Sequence, residues 1–118
     1  MVILMSKSEY KKLNVVMYVD TYKKLKWYSS VTGESMIRTI IKALNYSLHH
    51  RKDFSKFMEE YLNEMAGEIT TVRTFSVKER VHERIREISE KLGHSISMWV
   101  DSAVAFYLEN ANRRDVHG

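Results

Sequence analysis

The feature that most constrains the fold is a repeat with a period of 60 residues. "GESMIRTIIKALNYSL" and "GHSISMWVDSAVAFYL" each begin with Gly, one further residue and Ser, and each continues into a run with apolar residues at matching places. The matched apolar pairs are Met36/Ile96, Ile40/Val100, Ala43/Ala103, Leu44/Val104, Tyr46/Phe106 and Leu48/Leu108. Their spacing is that of one face of a helix. A chain of 118 residues with such a repeat predicts one domain, or two very small units that share a core.

Upstream of each helical run the apolar period changes from that of a helix to that of a strand. One strand face carries Leu13, Val15, Met17 and Val19 and the other Asn14, Val16 and Tyr18, while Phe75 and Val77 alternate with Thr74 and Ser76 in the second copy. One isolated strand is unstable, so we expect residues 12–19 and 71–78 to pair antiparallel and to bury Val15, Met17, Phe75 and Val77. The predicted fold is mainly α with a two-stranded antiparallel β-ribbon.

The turns and the connecting segment complete the predicted organisation. Gly33 and Gly93 are placed for left-handed helix C-caps, and Ser35 and Ser95 for the N-caps of the helices that follow. Between the units, Asp53 is expected to cap a helix that Gly67 ends, whose apolar face covers the shared core or another chain. The predicted boundaries are an N-terminal extension 1–11, unit one 12–48, a connecting helix 49–70, unit two 71–110 and a polar tail 111–118.

Composition narrows the classes of function. The chain has no Cys and no Pro, and its 19 basic residues outnumber 15 acidic ones, a balance that suits a polyanionic partner without requiring one. No Cys means no disulfide and no thiolate metal site, and no apolar run has the length of a membrane span, so we expect a cytoplasmic protein. The five His show no metal spacing, and neither a catalytic triad nor a phosphate-binding Gly loop is visible. We therefore expect no enzyme activity, no cofactor, no metal and no small-molecule substrate.

Strand, helix, Gly-x-Ser turn and helix together resemble the ribbon-helix-helix superfamily of transcription regulators (MetJ/Arc/CopG-like). The resemblance covers residues of about 12–48 and 71–108. It implies an intrachain pair of units, similar to single-chain versions of this fold among archaeal plasmid and virus regulators. It also implies a sequence-specific, double-stranded DNA-binding regulator that inserts its ribbon into the major groove and alters transcription by occupancy.

The resemblance also assigns candidate site residues. Base reading falls on Lys12, Asn14, Val16, Tyr18, Thr74 and Ser76, and phosphate binding on the helix starts at Ser35, Met36, Ser95 and Ile96. Arg73 stands at a position that the alternation directs inward, so either the second strand begins late or this side chain turns outward toward phosphate. The two copies differ at the reading positions, which predicts an asymmetric recognition site.

Several alternatives stay open at this point. The protein could be an antitoxin that binds both DNA and a toxin, or an interaction scaffold that does not bind DNA. It could also bind DNA with each unit paired to a unit of another chain. Whenever the protein binds DNA, several copies could associate along it. Val16 and Tyr18 could belong to a strand buried on both faces, and Asp20 could shorten the first helix. We expect Trp27 and Trp99 to lie in the core or in an interface. We expect a solvated helix face to carry Lys23, Lys24 and Lys26. The segment "RVHERIREISEK" is expected to form a helix with ion pairs on its surface.

Overall fold

A computed structural model of the chain describes residues 9–117, with side chains described for residues 9–111. The elements in chain order are β1 (Tyr10–Tyr18), α1 (Val19–Thr32), α2 (Met36–His49), α3 (Arg51–Met65), β2 (Thr70–Lys78), α4 (Glu79–Leu92) and α5 (Ile96–His117). The predicted mainly helical fold with a two-stranded antiparallel sheet is confirmed. Most of the predicted N-terminal extension, residues 1–8, and the side chains of most of the predicted tail lie outside the described part.

The two strands pair along their whole lengths. Tyr10 lies opposite Lys78, Asn14 opposite Thr74 and Tyr18 opposite Thr70. The inward-facing side chains that the alternation identified are buried: Leu13, Val15, Met17, Phe75 and Val77. The predicted first strand was one residue too long at its end, because Val19 already begins α1. The expected shortening of α1 by Asp20 was also wrong, since this residue lies in the first turn, where a carboxylate favours the positive end of the helix dipole.

Both predicted Gly-x-Ser turns are confirmed. Gly33 and Gly93 cap α1 and α4 with φ of 76° and 77°, in the left-handed region that glycine adopts without a steric penalty. The Ser35 and Ser95 hydroxyls accept hydrogen bonds from backbone amides three residues later, at 3.2 and 3.1 Å. These caps satisfy amides that the first helical turn leaves without partners.

The core lies where α2 and α5 pack against each other beneath the ribbon. Trp99 on α5 is 1% exposed, and its Nε1 donates to Ser47 Oγ on α2 at 3.1 Å. The prediction of a buried Trp99 is therefore confirmed. A core position for Trp27 is wrong, because its side chain is 61% exposed on α1.

The connecting helix α3 covers this core rather than leaving its apolar face free. Phe54 and Met58 are buried, and the Phe54 and Phe57 rings lie 5.4 and 5.2 Å from the Phe106 ring. The helix begins at Arg51, so Asp53 lies in the first turn, and the expected Asp53 cap is wrong. The helix ends at Met65, two residues before Gly67, which has a φ of 87°.

The outer surfaces of α1 and α4 match the solvated, charged surfaces expected from sequence. Lys23, Lys24 and Lys26 are exposed. Arg86 on α4 forms ion pairs with Glu83 and Glu90, at 2.6 and 3.1 Å. Water screens such pairs strongly, so they favour this helix weakly and do not fix its position.

Candidate functional site

The outer face of the ribbon is a solvent-facing surface backed by the helical core. Its cross-strand pairs are Tyr10–Lys78, Lys12–Ser76, Asn14–Thr74, Val16–Val72 and Tyr18–Thr70. Every member is exposed except Tyr18, which is half-buried. The structure thus brings the predicted reading residues Lys12, Asn14, Val16, Thr74 and Ser76 together on one face. Lys78, Val72, Tyr10 and Thr70 belong to the same face and were missed, although extending the period-two alternation along both strands would have found them.

The centre of this face is a hydrogen-bonded pair. Thr74 Oγ1 donates to Asn14 Oδ1 at 2.7 Å across the two strands. This bond restricts rotation of the Asn14 amide, and Asn14 Oδ1 has a second lone pair while the Nδ2 group carries two hydrogens. The pair is therefore a preoriented polar group that can both donate and accept.

The two halves of the face, on either side of this pair, differ in chemistry. One half carries both lysines of the face, Lys12 and Lys78. The other carries Val16 and Val72 opposite each other, 46% and 63% exposed. The exposure of Val16 excludes a strand buried on both faces. No side chain of this face is acidic, so its formal charge is positive.

Tyr18 differs from the other outward residues because it contacts the helices. Its ring lies edge-on to Tyr61 of α3, with the ring centroids 5.9 Å apart. The Tyr61 hydroxyl donates to Asp101 Oδ2 at 2.7 Å and shares a hydrogen bond of 2.6 Å with Thr21 Oγ1. Burial, followed by the nearby Asp101 carboxylate, raises the pKa of Tyr61 well above its ordinary value. Tyr18 therefore anchors one end of the ribbon to α3.

The free edge of β1 is held by two side chains of α5, one helical turn apart. Val16 N donates to Ser97 Oγ at 2.8 Å, and Tyr18 N donates to Asp101 Oδ1 at 3.0 Å. Burial raises the pKa of the Asp101 carboxyl, and its hydrogen bonds oppose that shift in part. The positions 60 residues earlier on α2 are Ile37 and Ile41, which have no acceptor. Sequence reasoning missed this function of Ser97 and Asp101; the available signal was two polar residues four apart near the start of a largely apolar helix.

The predicted phosphate positions lie at the starts of α2 and α5. In each helix the third backbone amide donates to the serine cap, whereas the first two amides have no acceptor within the helix. These free amides belong to Met36 and Ile37 on α2 and to Ile96 and Ser97 on α5. The two helix starts thus present the same arrangement of backbone donors.

The residues that precede the two caps differ in charge. Before Ser35 stands Glu34, whose carboxylate accepts from Lys42 Nζ and from Thr39 Oγ1. The hydrogen bond from Lys42 is the main cause that lowers the pKa of Glu34. Before Ser95 stands His94, which is not an acidic residue. The start of α5 is therefore the more favourable of the two for an anion.

Arg73 lies beside the ribbon rather than on its outer face. The strand β2 already begins at Thr70, so the expected late start of this strand was wrong. The exposed Arg73 side chain places its Cζ 4.2 Å from the centroid of the Tyr22 ring on α1. This cation–π contact explains how an arginine occupies a position that the alternation directs inward.

The described residues contain no group of three or more His, Asp or Glu side chains that could hold a metal ion. No helix within residues 9–117 is both long and apolar enough to span a membrane.

No family model matches the chain, and neither a curated protein nor a solved structure is detectably similar to it. The function is therefore inferred from the geometry of the ribbon face and the helices that support it.

Proposed function

We propose that the chain binds double-stranded DNA by inserting its ribbon into the major groove, and that it regulates transcription by occupying its site. The observation that carries this proposal is the outer ribbon face, which combines hydrogen-bonding groups and two lysines with no acidic side chain. Helices cover the opposite face, where Leu13, Val15 and Met17 belong to the core, so the outer face is the one open to a partner. The major groove accepts a two-stranded ribbon, and its base edges offer donors, acceptors and thymine methyl groups.

The dimensions of the ribbon support this mode of binding. Nine paired residues per strand make a ribbon about 30 Å long at roughly 3.4 Å per residue. Two strands about 4.8 Å apart, with short side chains at the centre, fit a groove that is about 12 Å wide. The central Asn14–Thr74 pair would lie deepest, where a base-edge contact gives the most discrimination.

We also propose that the chain is a tandem ribbon-helix-helix protein whose two units pair within one chain. The strand register supports this, because Asn14 and Thr74 are separated by the repeat period of 60 residues and lie opposite each other. Equivalent positions of the two units therefore meet at the centre of the ribbon. The matching left-handed glycines and serine caps support the same interpretation.

Phosphate contacts would supply most of the affinity. The starts of α2 and α5 would contact the DNA backbone through their free amides, and the exposed Arg73 beside the ribbon offers a further cation. Because His94 replaces Glu34 at the second helix start, we expect the contact made by α5 to be stronger than that made by α2.

The polarised face predicts an asymmetric operator. Lys12 and Lys78 lie on one side of the central pair and favour the O6 and N7 acceptors of guanine. Val16 and Val72 lie on the other side and favour thymine methyl groups. We therefore expect one half of the site to be guanine-rich and the other thymine-rich. A site with two identical half-sites would contradict pairing within the chain.

The test is selection of bound sequences from random double-stranded DNA, followed by affinity measurements at several salt concentrations. A ribbon variant, Lys12→Gln with Lys78→Gln, is compared with a charge-matched control, Lys52→Gln with Lys56→Gln, on the exposed side of α3. Removing two phosphate or base contacts should reduce the slope of log affinity against log salt by about 2 in the ribbon variant. The control should keep the wild-type slope and the selected sequence.

Two results would overturn the proposal. One is a salt slope near zero for the wild-type chain on its best selected sequence, since a DNA-binding surface must displace counterions. The other is an equal loss of affinity in the ribbon and control variants, which would place the basic surface elsewhere. If DNA binding fails in either way, an interaction with another protein becomes the preferred function of this face.

A further inference from the structure

An open apolar groove of about 260 Å³ lies between α2 and α4. Apolar side chains of both helices form its walls, and Trp99 of α5, which is 1% exposed, lines its floor. The apolar wall residues are Ile41, Leu44, Leu48, Val81, Ile85 and Ile88. Leu44 and Ile85 are buried, but the other four are only half-buried, so apolar surface remains open to a partner. We call this site the α2–α4 groove.

Two arginines lie along the α4 side of this groove without an ionic partner. Arg80 and Arg84 are exposed and stand one helical turn apart. Within residues 9–111 no carboxylate is close enough to pair with either guanidinium, whereas Arg86 on the same helix pairs with Glu83 and Glu90. No acidic side chain of this part of the chain lines the groove. The α2–α4 groove therefore combines apolar surface with two positive charges that nothing beside them neutralises.

We propose that the α2–α4 groove binds an acidic amphipathic helix of another protein. Such a helix places apolar side chains at i, i+3 or i+4 and i+7 into a groove of this kind. The groove runs from Arg80 to Ile88 on α4, a length of about 12 Å at 1.5 Å per residue, which matches about two turns of a helix. Carboxylates beside the apolar stripe of the partner would then pair with Arg80 and Arg84.

A helix fits this groove better than a small apolar anion does. Cavities for small ligands enclose most of the ligand surface and have volumes of about 300–1,000 Å³. The α2–α4 groove is smaller than that range and is open to solvent on one side. A helix needs cover for only one of its faces, because its opposite face is polar and stays in water.

A second copy of this chain fits the groove poorly. In the described part of the chain, the large apolar side chains exposed on helices are Trp27, Val31 and Met98. Trp27 and Val31 lie on α1, whose exposed surface also carries Lys23 and Lys26. These lysines would bring like charges to the two arginines, which is unfavourable at an interface. Met98 is a single side chain in the first turn of α5 and does not fill a groove two turns long.

The first test measures the binding of a synthetic helical peptide by fluorescence anisotropy. The probe has about 16 residues, which is long enough for a helix, with leucine at helical spacing on one face and glutamate beside that face. A control peptide has lysine in place of each glutamate. Arg80→Gln with Arg84→Gln should weaken binding of the acidic peptide about 2- to 30-fold at low salt. The charge-matched control, Lys52→Gln with Lys56→Gln on the exposed side of α3, should leave the affinity unchanged.

A charge exchange separates a specific contact from a general effect on folding. Arg80→Glu with Arg84→Glu should reverse the preference, so that the lysine peptide binds better than the acidic one. Equal affinity of the wild type for the two peptides, or a Kd above about 1 mM for the acidic one, would overturn the proposal. An equal loss of affinity in the groove variant and in the α3 control would overturn it as well.

The apolar part of the groove has a test of its own. Ile88→Ala removes part of a half-buried wall and should weaken binding of the acidic peptide about 3- to 30-fold. Val31→Ala, on the exposed surface of α1, should leave the affinity unchanged. An unchanged affinity in Ile88→Ala would show that the peptide is held by charge alone and not in the groove.

Each other occupant of the groove has a distinct signature that would overturn the proposal. A dimer in sedimentation that the acidic peptide dissociates would assign the groove to a second copy. Peptide binding that appears only after Ile3→Ser with Leu4→Ser would assign it to the chain itself. A fall of about 2 in the DNA salt slope of Arg80→Gln with Arg84→Gln would place these arginines on phosphates. The peptide experiments contain no DNA, so their outcome is independent of the proposed function.

Discussion

Replacing Asp101 by alanine removes the carboxylate that joins β1 to α3. In the folded protein this carboxylate accepts from Tyr18 N at 3.0 Å and from the Tyr61 hydroxyl at 2.7 Å. After the change the Tyr18 amide has lost its acceptor at a part-buried site, while Tyr61 retains its hydrogen bond with Thr21. The substitution therefore removes one attachment of the ribbon end to the helices, while the Tyr18–Tyr61 ring contact and the hydrogen bond from Val16 N to Ser97 remain.

The expected magnitude follows from these two bonds. A backbone amide left without a partner costs about 1–3 kcal/mol, and losing a hydrogen bond to a charged group costs a similar amount. Removing a buried carboxylate recovers part of its desolvation free energy, so we expect a net loss of about 2–3 kcal/mol for Asp101→Ala. Asp101→Asn keeps an acceptor oxygen for Tyr18 N and should cost about 1 kcal/mol or less. Tyr61→Phe should cost about 1–2 kcal/mol.

The assay is urea unfolding followed by circular dichroism, as a double-mutant cycle on Asp101→Ala and Tyr61→Phe. A shared hydrogen bond predicts that the double variant loses about 1 kcal/mol less than the two single losses combined. Strict additivity would show that Asp101 and Tyr61 do not interact, and would refute this account of how the ribbon is held.

The same network has a pH signature. Burial raises the folded-state pKa of Asp101, so the stability that this group contributes is fully present below its unfolded pKa of about 3.9 and is lost as pH rises through the folded value. The wild type should therefore lose stability relative to Asp101→Asn as pH rises from about 4 toward neutrality. Tyr61 does not titrate in this range, because the ordinary pKa of a tyrosine, 10.0, already lies above it and burial raises the pKa of Tyr61 further. If the free energy of unfolding of the wild type instead rises relative to that of Asp101→Asn over this pH range, the pKa of Asp101 is not raised by burial.

Three further substitutions test separate parts of the structure. Gly93→Ala should lower the free energy of unfolding by about 1 kcal/mol in urea unfolding, because of the positive φ alone, since a Cβ there meets no atom within 4 Å. Gly93→Asn should recover part of this loss. An unchanged stability of Gly93→Ala would contradict the expected strain at this φ. Trp99→Phe should lower the free energy of unfolding by about 1–3 kcal/mol, measured by thermal or urea unfolding, because it removes the hydrogen bond from Nε1 to Ser47 and part of the buried ring volume. An unchanged stability would mean that this indole does not anchor α5. Glu34→Gln should tighten binding to the selected DNA about two- to fivefold at low salt, and weaker binding would exclude a phosphate at the start of α2.

Periodicity and capping rules were sufficient to predict much of the fold. A strand that must bury one face fixes which residues point inward, so Val15, Met17, Phe75 and Val77 were identified without any tertiary information. Two Gly-x-Ser turns in matching contexts likewise located two helix ends and two helix starts. These features depend on local chemistry, which is why the sequence specifies them.

Features that depend on which element lies beside which were not predictable in the same way. Trp27 and Trp99 have equally apolar side chains, but Trp99 lies on the face of α5 that packs against α2, whereas Trp27 lies on the exposed face of α1. Ser97 and Asp101 read as ordinary polar residues until the free edge of β1 is placed next to them. Arg73 appeared misplaced because the sequence does not reveal the Tyr22 ring on which it lies.

The proposed pairing of two units within one chain accounts for the differences between them, because each copy of a repeated position is encoded separately. The two copies of one repeated position differ in this way: Leu13 is 1% exposed in the core, whereas Arg73 is exposed beside the ribbon. A covalently joined pair can place a buried leucine in one unit and an exposed arginine in the other. The same freedom allows lysines on one half of the ribbon face and valines on the other. Under the proposed DNA-binding function, an operator with unlike halves is therefore the expected counterpart of this face, because a symmetric operator would leave one half of the face opposite the wrong base edges.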